Sequence, residues 1–259
     1  MAGEKSATRL RELRASGQTI AGLSDDLRPQ TLAQAYEIQG ALVTQRLDQE
    51  GGELIGWKVG ATNTVAQAQV GSKDPFYGRM LSSRVFESGD DVPIGNRRVG
   101  IEPEFTYELA EDVPSAESPW TADTVASFIA SVRPSIELVW APFDDWVAAG
   151  ALSLVAGNAA HDSWVRGPAS AAGTELAGIE VEPSLNGKPL AIGGAAAVLG
   201  HPLNVLAWLA NALQEHGEQL RAGDVITTGV CTELFFGVSG DRIDVDFGRL
   251  GMVAAGLAS

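Results

Sequence analysis

The stretch Ile101-Glu102-Pro103-Glu104-Phe105-Thr106-Tyr107-Glu108-Leu109 alternates along its length, with apolar residues at every odd position. A period of two marks a strand, and it turns Glu102 and Glu104 to the same face. Two carboxylates at that spacing repel unless water, a proton or a cation intervenes. Two readings follow. One is a solvated face at a sheet edge, which Pro103 also suits. The other is a site for a hard divalent ion that prefers oxygen ligands.

Downstream, Ser135-Ile136-Glu137-Leu138-Val139-Trp140 reads as a second strand, mostly apolar apart from Glu137. A carboxylate buried there costs several kcal/mol without a partner, as an order of magnitude. Glu137 therefore faces solvent, is neutralised by Arg133, or joins Glu102 and Glu104 as a third oxygen ligand. Three carboxylates with open positions suit Mg²⁺ or Mn²⁺ better than Zn²⁺. Upstream, Ile55-Gly56-Trp57-Lys58-Val59-Gly60 carries a lone cation among glycines and apolar residues. Lys58 is then a binder of carboxylates, an acid-base group, or a lysine whose head reaches the surface.

Further short apolar runs read as strands: Leu54 to Val59, Val99 to Leu109, Val181 to Leu185, Val225 to Thr228 and Arg242 to Phe247. Asn186-Gly187 predicts a hairpin turn. Helical signals are fewer. Leu10 and Leu13 mark a short charged helix. Thr31 is placed to cap a helix whose apolar residues follow a three-and-four spacing up to Gly51-Gly52. Gly200-His201-Pro202 starts another, which Gly217 stops. Residues 111–122 and 163–178 read as surface loops. The expectation is an α+β chain, with a helical N-terminal cap over 1–52 and a strand-rich body over 53–259.

The histidines are His161, His201 and His216. His201 stands at a helix start and His216 at a helix end. His161 lies in a small-residue stretch, Ala156-Gly157-Asn158-Ala159-Ala160-His161-Asp162-Ser163, which lines a pocket or simply packs. No Gly-x-Ser-x-Gly elbow, P-loop or dinucleotide fingerprint is present.

Composition narrows the function classes. Asp and Glu outnumber Lys and Arg by 33 to 18, for a net charge of -15 over 259 residues. That balance gives no footing for nucleic-acid binding and disfavours anionic membranes. An anionic substrate would need local positive charge from a metal or a buried cation. Cys231 is the single cysteine, which excludes an intrachain disulfide and multi-thiolate zinc. With no signal-like start and no uninterrupted apolar span, a cytoplasmic location is expected.

Taken together, several motifs resemble the fumarylacetoacetate hydrolase superfamily, in particular its 2-oxopent-4-enoate hydratases and 4-oxalocrotonate decarboxylases. They are Gly56-Trp57-Lys58-Val59-Gly60-Ala61-Thr62, Gly100-Ile101-Glu102-Pro103-Glu104 and Ser135-Ile136-Glu137. The stretches Gly194 to Leu213, Leu220 to Gly229 and Phe247 to Gly251 extend the match from about residue 31 to the C-terminus. The resemblance implies a mixed β roll, homo-oligomers and a divalent metal, Mg²⁺ or Mn²⁺, on Glu102, Glu104 and Glu137. It implies Lys58 beside the substrate and the Thr232 hydroxyl on the substrate carboxylate.

Two departures stand out. Relatives carry Pro-Asp-aromatic-Gly where this chain has Pro75-Phe76-Tyr77-Gly78, and Asp-Asn-Ala-Ser where it has Gly157-Asn158-Ala159-Ala160. Asp74 is a candidate to replace the first missing group, and His161 or Asp162 the second. The resemblance implies a hydro-lyase that adds water to a 2-hydroxy-2,4-dienoate or 2-oxo-enoate from aromatic ring cleavage. Alternatives are a decarboxylase or C–C hydrolase on a related 2-oxo acid, or a non-catalytic partner subunit associated with a neighbouring pathway enzyme.

Overall fold

Two helices open the chain in the computed structural model, which describes residues 2–259: α1 (Ala2–Ser16) and α2 (Leu32–Glu50). The Thr31 side chain accepts from the Gln34 amide at the start of α2, and Gly51, with φ of 73°, ends it. That is the cap and stop read from the sequence. Ala7 and Leu10 of α1 and Ile38 and Leu42 of α2 share one apolar cluster with Phe76, Val139, Phe143 and Val155. Burial of each such large side chain is worth about 1.5–3 kcal/mol, so the helices are packed onto the body.

The body is built on mixed sheets that curl into a β roll, an α+β arrangement with helices at its N-terminal side. The strands that carry the site are β1 (Leu54–Gly60), β2 (Phe76–Leu81), β3 (Val99–Leu109), β4 (Ile129–Val139), β5 (His161–Arg166) and β6 (Val225–Thr227). They lie in the order β2-β1-β6-β3-β4-β5, with Val85–Glu87 beyond β5. β1 and β6 run parallel, while β3 pairs antiparallel with both β4 and β6. A second sheet contains Glu180–Leu185, Arg242–Asp246 and Met252–Ala258, and Asn186 and Gly187 make the expected turn at positive φ.

β3 is interior to its sheet, which excludes the edge reading. Pro103 is tolerated there for a local reason. β6 covers Thr106 to Glu108, and the strand Phe235–Gly237 covers Val99 to Ile101, so the intervening residues face an irregular segment. The Cys231 amide donates to the Pro103 carbonyl at 2.9 Å on that side. A residue's N and C=O point to the same side of a strand, so the missing N–H of Pro103 removes no ladder bond.

Two further helices, α3 (Trp146–Ala156) and α4 (Pro202–Glu215), pack on the sheets. His201 caps α4 by accepting from the Leu203 amide at 3.1 Å, a structural role. The segment 195–215 is apolar enough by length and composition to cross a membrane. Val205, Leu206, Leu209 and Leu213 are instead part of the main hydrophobic core. The loop expected over 163–178 begins later than the sequence suggested. Ser163 to Arg166 complete the buried strand β5, whose mixed polarity hides its period from view.

Candidate metal centre

The register between β3 and β4 sets Glu102 directly opposite Glu137, and Glu104 lies two residues along the same face. One oxygen from each of the three carboxylates falls within 4.8 Å of the others. Glu104 and Glu137 are fully buried, and Glu102 keeps a partly open edge. β1 lies across β6 from them and delivers Lys58, whose Nζ is 3.2 Å from Glu137 Oε1 and 3.5 Å from Glu102 Oε2. Lys58 is itself buried, so it is not a surface lysine.

Each glutamate has its own support. Glu104 Oε2 accepts from the Gly229 amide at 2.6 Å, while its Oε1 is buried with no hydrogen-bond partner among the described residues. Thr227 Oγ1 donates to Glu137 Oε2 at 3.1 Å, and His161 Nδ1 lies 2.8 Å from Glu137 Oε1. His161 Nε2 is buried and likewise without a partner among the described residues. Arg133 does not neutralise Glu137. It pairs with Glu108 at 3.2 Å, across the β3–β4 register.

The electrostatics follow from crowding. Burial raises the pKa of Glu104 well above the usual carboxylate range, and the neighbouring Glu137 and Glu102 raise it further. Glu102 is also raised, by burial first, with Lys58 opposing. Burial works against ionised Glu137 too, but Lys58 and the His161 contact outweigh it and bring its pKa to about 2. For Lys58, burial disfavours the charged form, yet Glu137 and Glu102 more than compensate and hold the ammonium above its ordinary value. Burial lowers the pKa of His161, which favours the neutral imidazole, while the Glu137 contact opposes the shift.

Three carboxylates against one ammonium would, if all were ionised, leave a charge of two negatives in a buried site. The orphaned Glu104 oxygen and the all-oxygen donor set fit a hard divalent cation, which would offset that charge. A neutral imidazole whose Nδ1–H donates to Glu137 presents a lone pair at Nε2.

The other expected residues make different contacts. Thr232 is half-buried just after Cys231, and its hydroxyl donates to the Glu233 carbonyl at 3.1 Å. Asp74 is exposed in the loop before β2, and Lys58 pairs with Glu102 and Glu137 instead. Asp162 is no free acid: Arg84 reaches its Oδ2 at 2.9 Å and Arg97 its Oδ1 at 2.5 Å. Phe76 and Ala160, the two departures, fall in the same buried apolar cluster. Sequence reasoning missed Thr227, the Gly229 amide and Asn158. The Asn158 side chain accepts from the Arg79 amide at 2.7 Å and donates to the Arg79 carbonyl at 2.9 Å. It thereby anchors a turn in which Asn158, Ala159 and Ala160 all hold positive φ, just before His161.

Residues 61–258 match the model of the fumarylacetoacetate (FAA) hydrolase C-terminal family. The chain is 31% identical over 253 residues to a 2-keto-4-pentenoate hydratase of Paraburkholderia xenovorans, covering 96% of this chain and 93% of that one. It is 32% identical over 248 residues to a 2-hydroxyhexa-2,4-dienoate hydratase of Comamonas testosteroni, covering 93% and 92%. Among solved structures, a 4-oxalocrotonate decarboxylase from Pseudomonas putida, complexed with magnesium and adipate, superposes with a TM-score of 0.91. It is 28% identical, with 98% of this chain and 97% of that one covered.

Proposed function

Because the chain belongs to the fumarylacetoacetate hydrolase family, we propose that it is a metal-dependent hydratase. Its substrate would be a small 2-hydroxy-2,4-dienoate or 2-oxo-enoate from aromatic ring cleavage, as the names of its hydratase relatives suggest. The observation that carries this reading is the buried cluster of Glu102, Glu104 and Glu137, with the Lys58 ammonium and the unpartnered His161 Nε2 beside it.

Mg²⁺ or Mn²⁺ on the three glutamates would supply Lewis acidity and a positive charge for an oxyanionic substrate. Lys58, kept cationic by Glu137 and Glu102, holds negative charge on the substrate and its developing oxyanion. His161 Nε2 accepts a proton from water as the water oxygen bonds to the remote alkene carbon. The proton then passes to the neighbouring carbon, which completes addition across the double bond. Glu137 fixes the imidazole tautomer and stabilises the imidazolium that forms. Thr232 supplies a hydroxyl for the substrate carboxylate. The exposed position of Asp74 leaves proton transfer to His161, in a wall where Phe76 and Ala160 offer none.

The likeness to the decarboxylase keeps a second reaction in view, loss of CO₂ from a related 2-oxo acid. Product analysis separates the two: a hydroxy-oxo acid supports hydration, whereas released CO₂ supports decarboxylation. A non-catalytic partner subunit would give neither. The metal centre itself is tested by thermal unfolding with Mn²⁺, with and without oxalate. A ligand at a hundredfold its Kd stabilises by about 2.7 kcal/mol. Oxalate that stabilises only with Mn²⁺ supports the site; no shift with either removes its basis.

The acidic composition and the free, buried Cys231 support a cytoplasmic setting. Homo-oligomers are suggested by the family and are measurable by light scattering. The helical part, residues 1–52, would serve the body, 53–259, as a cap whose removal is assayable.

A further inference from the structure

Five arginines face one cavity of about 520 Å³ that includes none of the metal-centre residues. Arg11 and Arg14 come from α1, Arg46 from α2, Arg84 from the turn after β2 and Arg97 from the segment before β3. They are five of only 18 Lys and Arg residues in a chain of net charge -15. The carboxylates lining the same cavity are Glu50 and Asp162. Five guanidinium groups against two carboxylates leave an excess of three positive charges.

The contacts within the cluster do not use it up. Asp162 is shared between Arg84 and Arg97. Glu50 is taken by Arg46, through Nε at 2.7 Å and Nη2 at 3.0 Å. Arg14 pairs with no carboxylate among the described residues. Its Nη1 donates to the Trp140 carbonyl at 2.8 Å and its Nη2 to the His161 carbonyl. Arg11 donates to Gln49 Oε1 at 2.9 Å.

Two buried donors have no partner among the described residues: Arg46 Nη1 and Arg11 Nε. Arg46 is only 5% exposed. An unmade hydrogen bond on a buried charged group is among the costlier defects a fold tolerates. Burial, then Arg46 and Arg97, disfavour the charged form of Arg14. Water can satisfy an N–H, but it cannot offset the excess charge; an anion does both.

We propose that this cavity binds a small oxyanion, either phosphate or a short carboxylic acid, at a site separate from the metal centre. The forked guanidinium donors suit two or more anionic oxygens. An anion here would bridge α1 and α2 to the residues around Asp162, and so brace β5 from behind.

The test is calorimetric titration of the intact Mg²⁺-loaded protein with inorganic phosphate and, separately, succinate, at constant ionic strength. Saturable one-to-one binding is expected. Arg11→Gln and Arg46→Gln should each weaken binding by about tenfold or more, the scale of a lost charge-assisted hydrogen bond. Arg11 is partly exposed, so its variant remains informative if Arg46→Gln does not fold. Glu104→Gln should bind as the parent does. Tighter binding of phosphate or of succinate supports the site and tells which source fills it. The proposal is overturned if neither ion binds, if binding disappears in Glu104→Gln, or if Arg11→Gln binds normally.

Discussion

His161 Nδ1 lies 2.8 Å from Glu137 Oε1, and both residues are closed off from solvent. One carboxylate therefore serves two tasks, as a member of the oxygen cluster and as the group that orients the histidine. The two tasks separate on mutation. His161→Gln keeps a donor for Glu137 but loses the Nε2 lone pair. Turnover should fall by about 10²-fold or more, the typical scale of acid-base catalysis. Stabilisation by Mn²⁺ should persist. Steady-state kinetics beside a thermal Mn²⁺ titration checks this; unchanged turnover would remove His161 from the chemistry.

Glu104→Gln should have opposite effects with and without metal. Gln retains an oxygen for the Gly229 amide and removes a carboxyl whose ionisation burial and its two neighbours oppose. The metal-free protein should become more stable, raising Tm by about 2–4 °C per kcal/mol gained. The Mn²⁺-dependent shift and the activity should be lost. Scanning calorimetry in chelator and in Mn²⁺ reads both outcomes.

Lys58→Met is the mirror case. It removes the ammonium that sits 3.2 Å from Glu137 and 3.5 Å from Glu102, and leaves the carboxylates without a cation. Breaking a buried pair from one side costs about 3–5 kcal/mol. The metal-free variant should melt well below its parent, and Mn²⁺ should restore part of the loss. Equal melting temperatures in chelator would show that Lys58 contributes no net charge balance.

Asp162→Asn tests the clamp behind β5. Burial opposes ionisation of Asp162, but Arg84 and Arg97 outweigh it and hold the carboxyl far below its ordinary value. A depressed carboxylate contributes stability that is present above its unfolded pKa, near 3.9 as an approximate value, and is lost as pH falls below it. The variant should be less stable by about 3–5 kcal/mol at pH near 7. That gap should shrink below about pH 4. Urea unfolding of both proteins across pH measures it, and a gap that widens in acid would contradict the assignment.

Much of this site was legible in the alternation of Ile101 to Leu109, which put Glu102 and Glu104 on one face. Glu137 stood out because the strand around it was apolar. Lys58 stood out for the same reason. What stayed hidden was pairing between distant segments. Arg133 is four residues from Glu137, yet it bonds Glu108 because the β3–β4 register sets it there. Asp162 looked like a spare acid until Arg84 and Arg97, far away in sequence, closed on it. The strand from His161 to Arg166 mixes polar and apolar residues without a clean period, since both of its faces are buried and His161 Nδ1, Asp162 and Ser163 find internal partners.

Arg14 donates to the backbone carbonyls of Trp140 and His161. A clone starting at residue 31 would keep the three site glutamates, Lys58, His161 and the whole stretch that matches the family model, 61–258. It would nevertheless lack the side chain that holds the histidine's backbone in register. The stretch that matches the family model is thus shorter than the set of contacts that supports the site, and boundaries for expression or for N-terminal fusions belong ahead of α1.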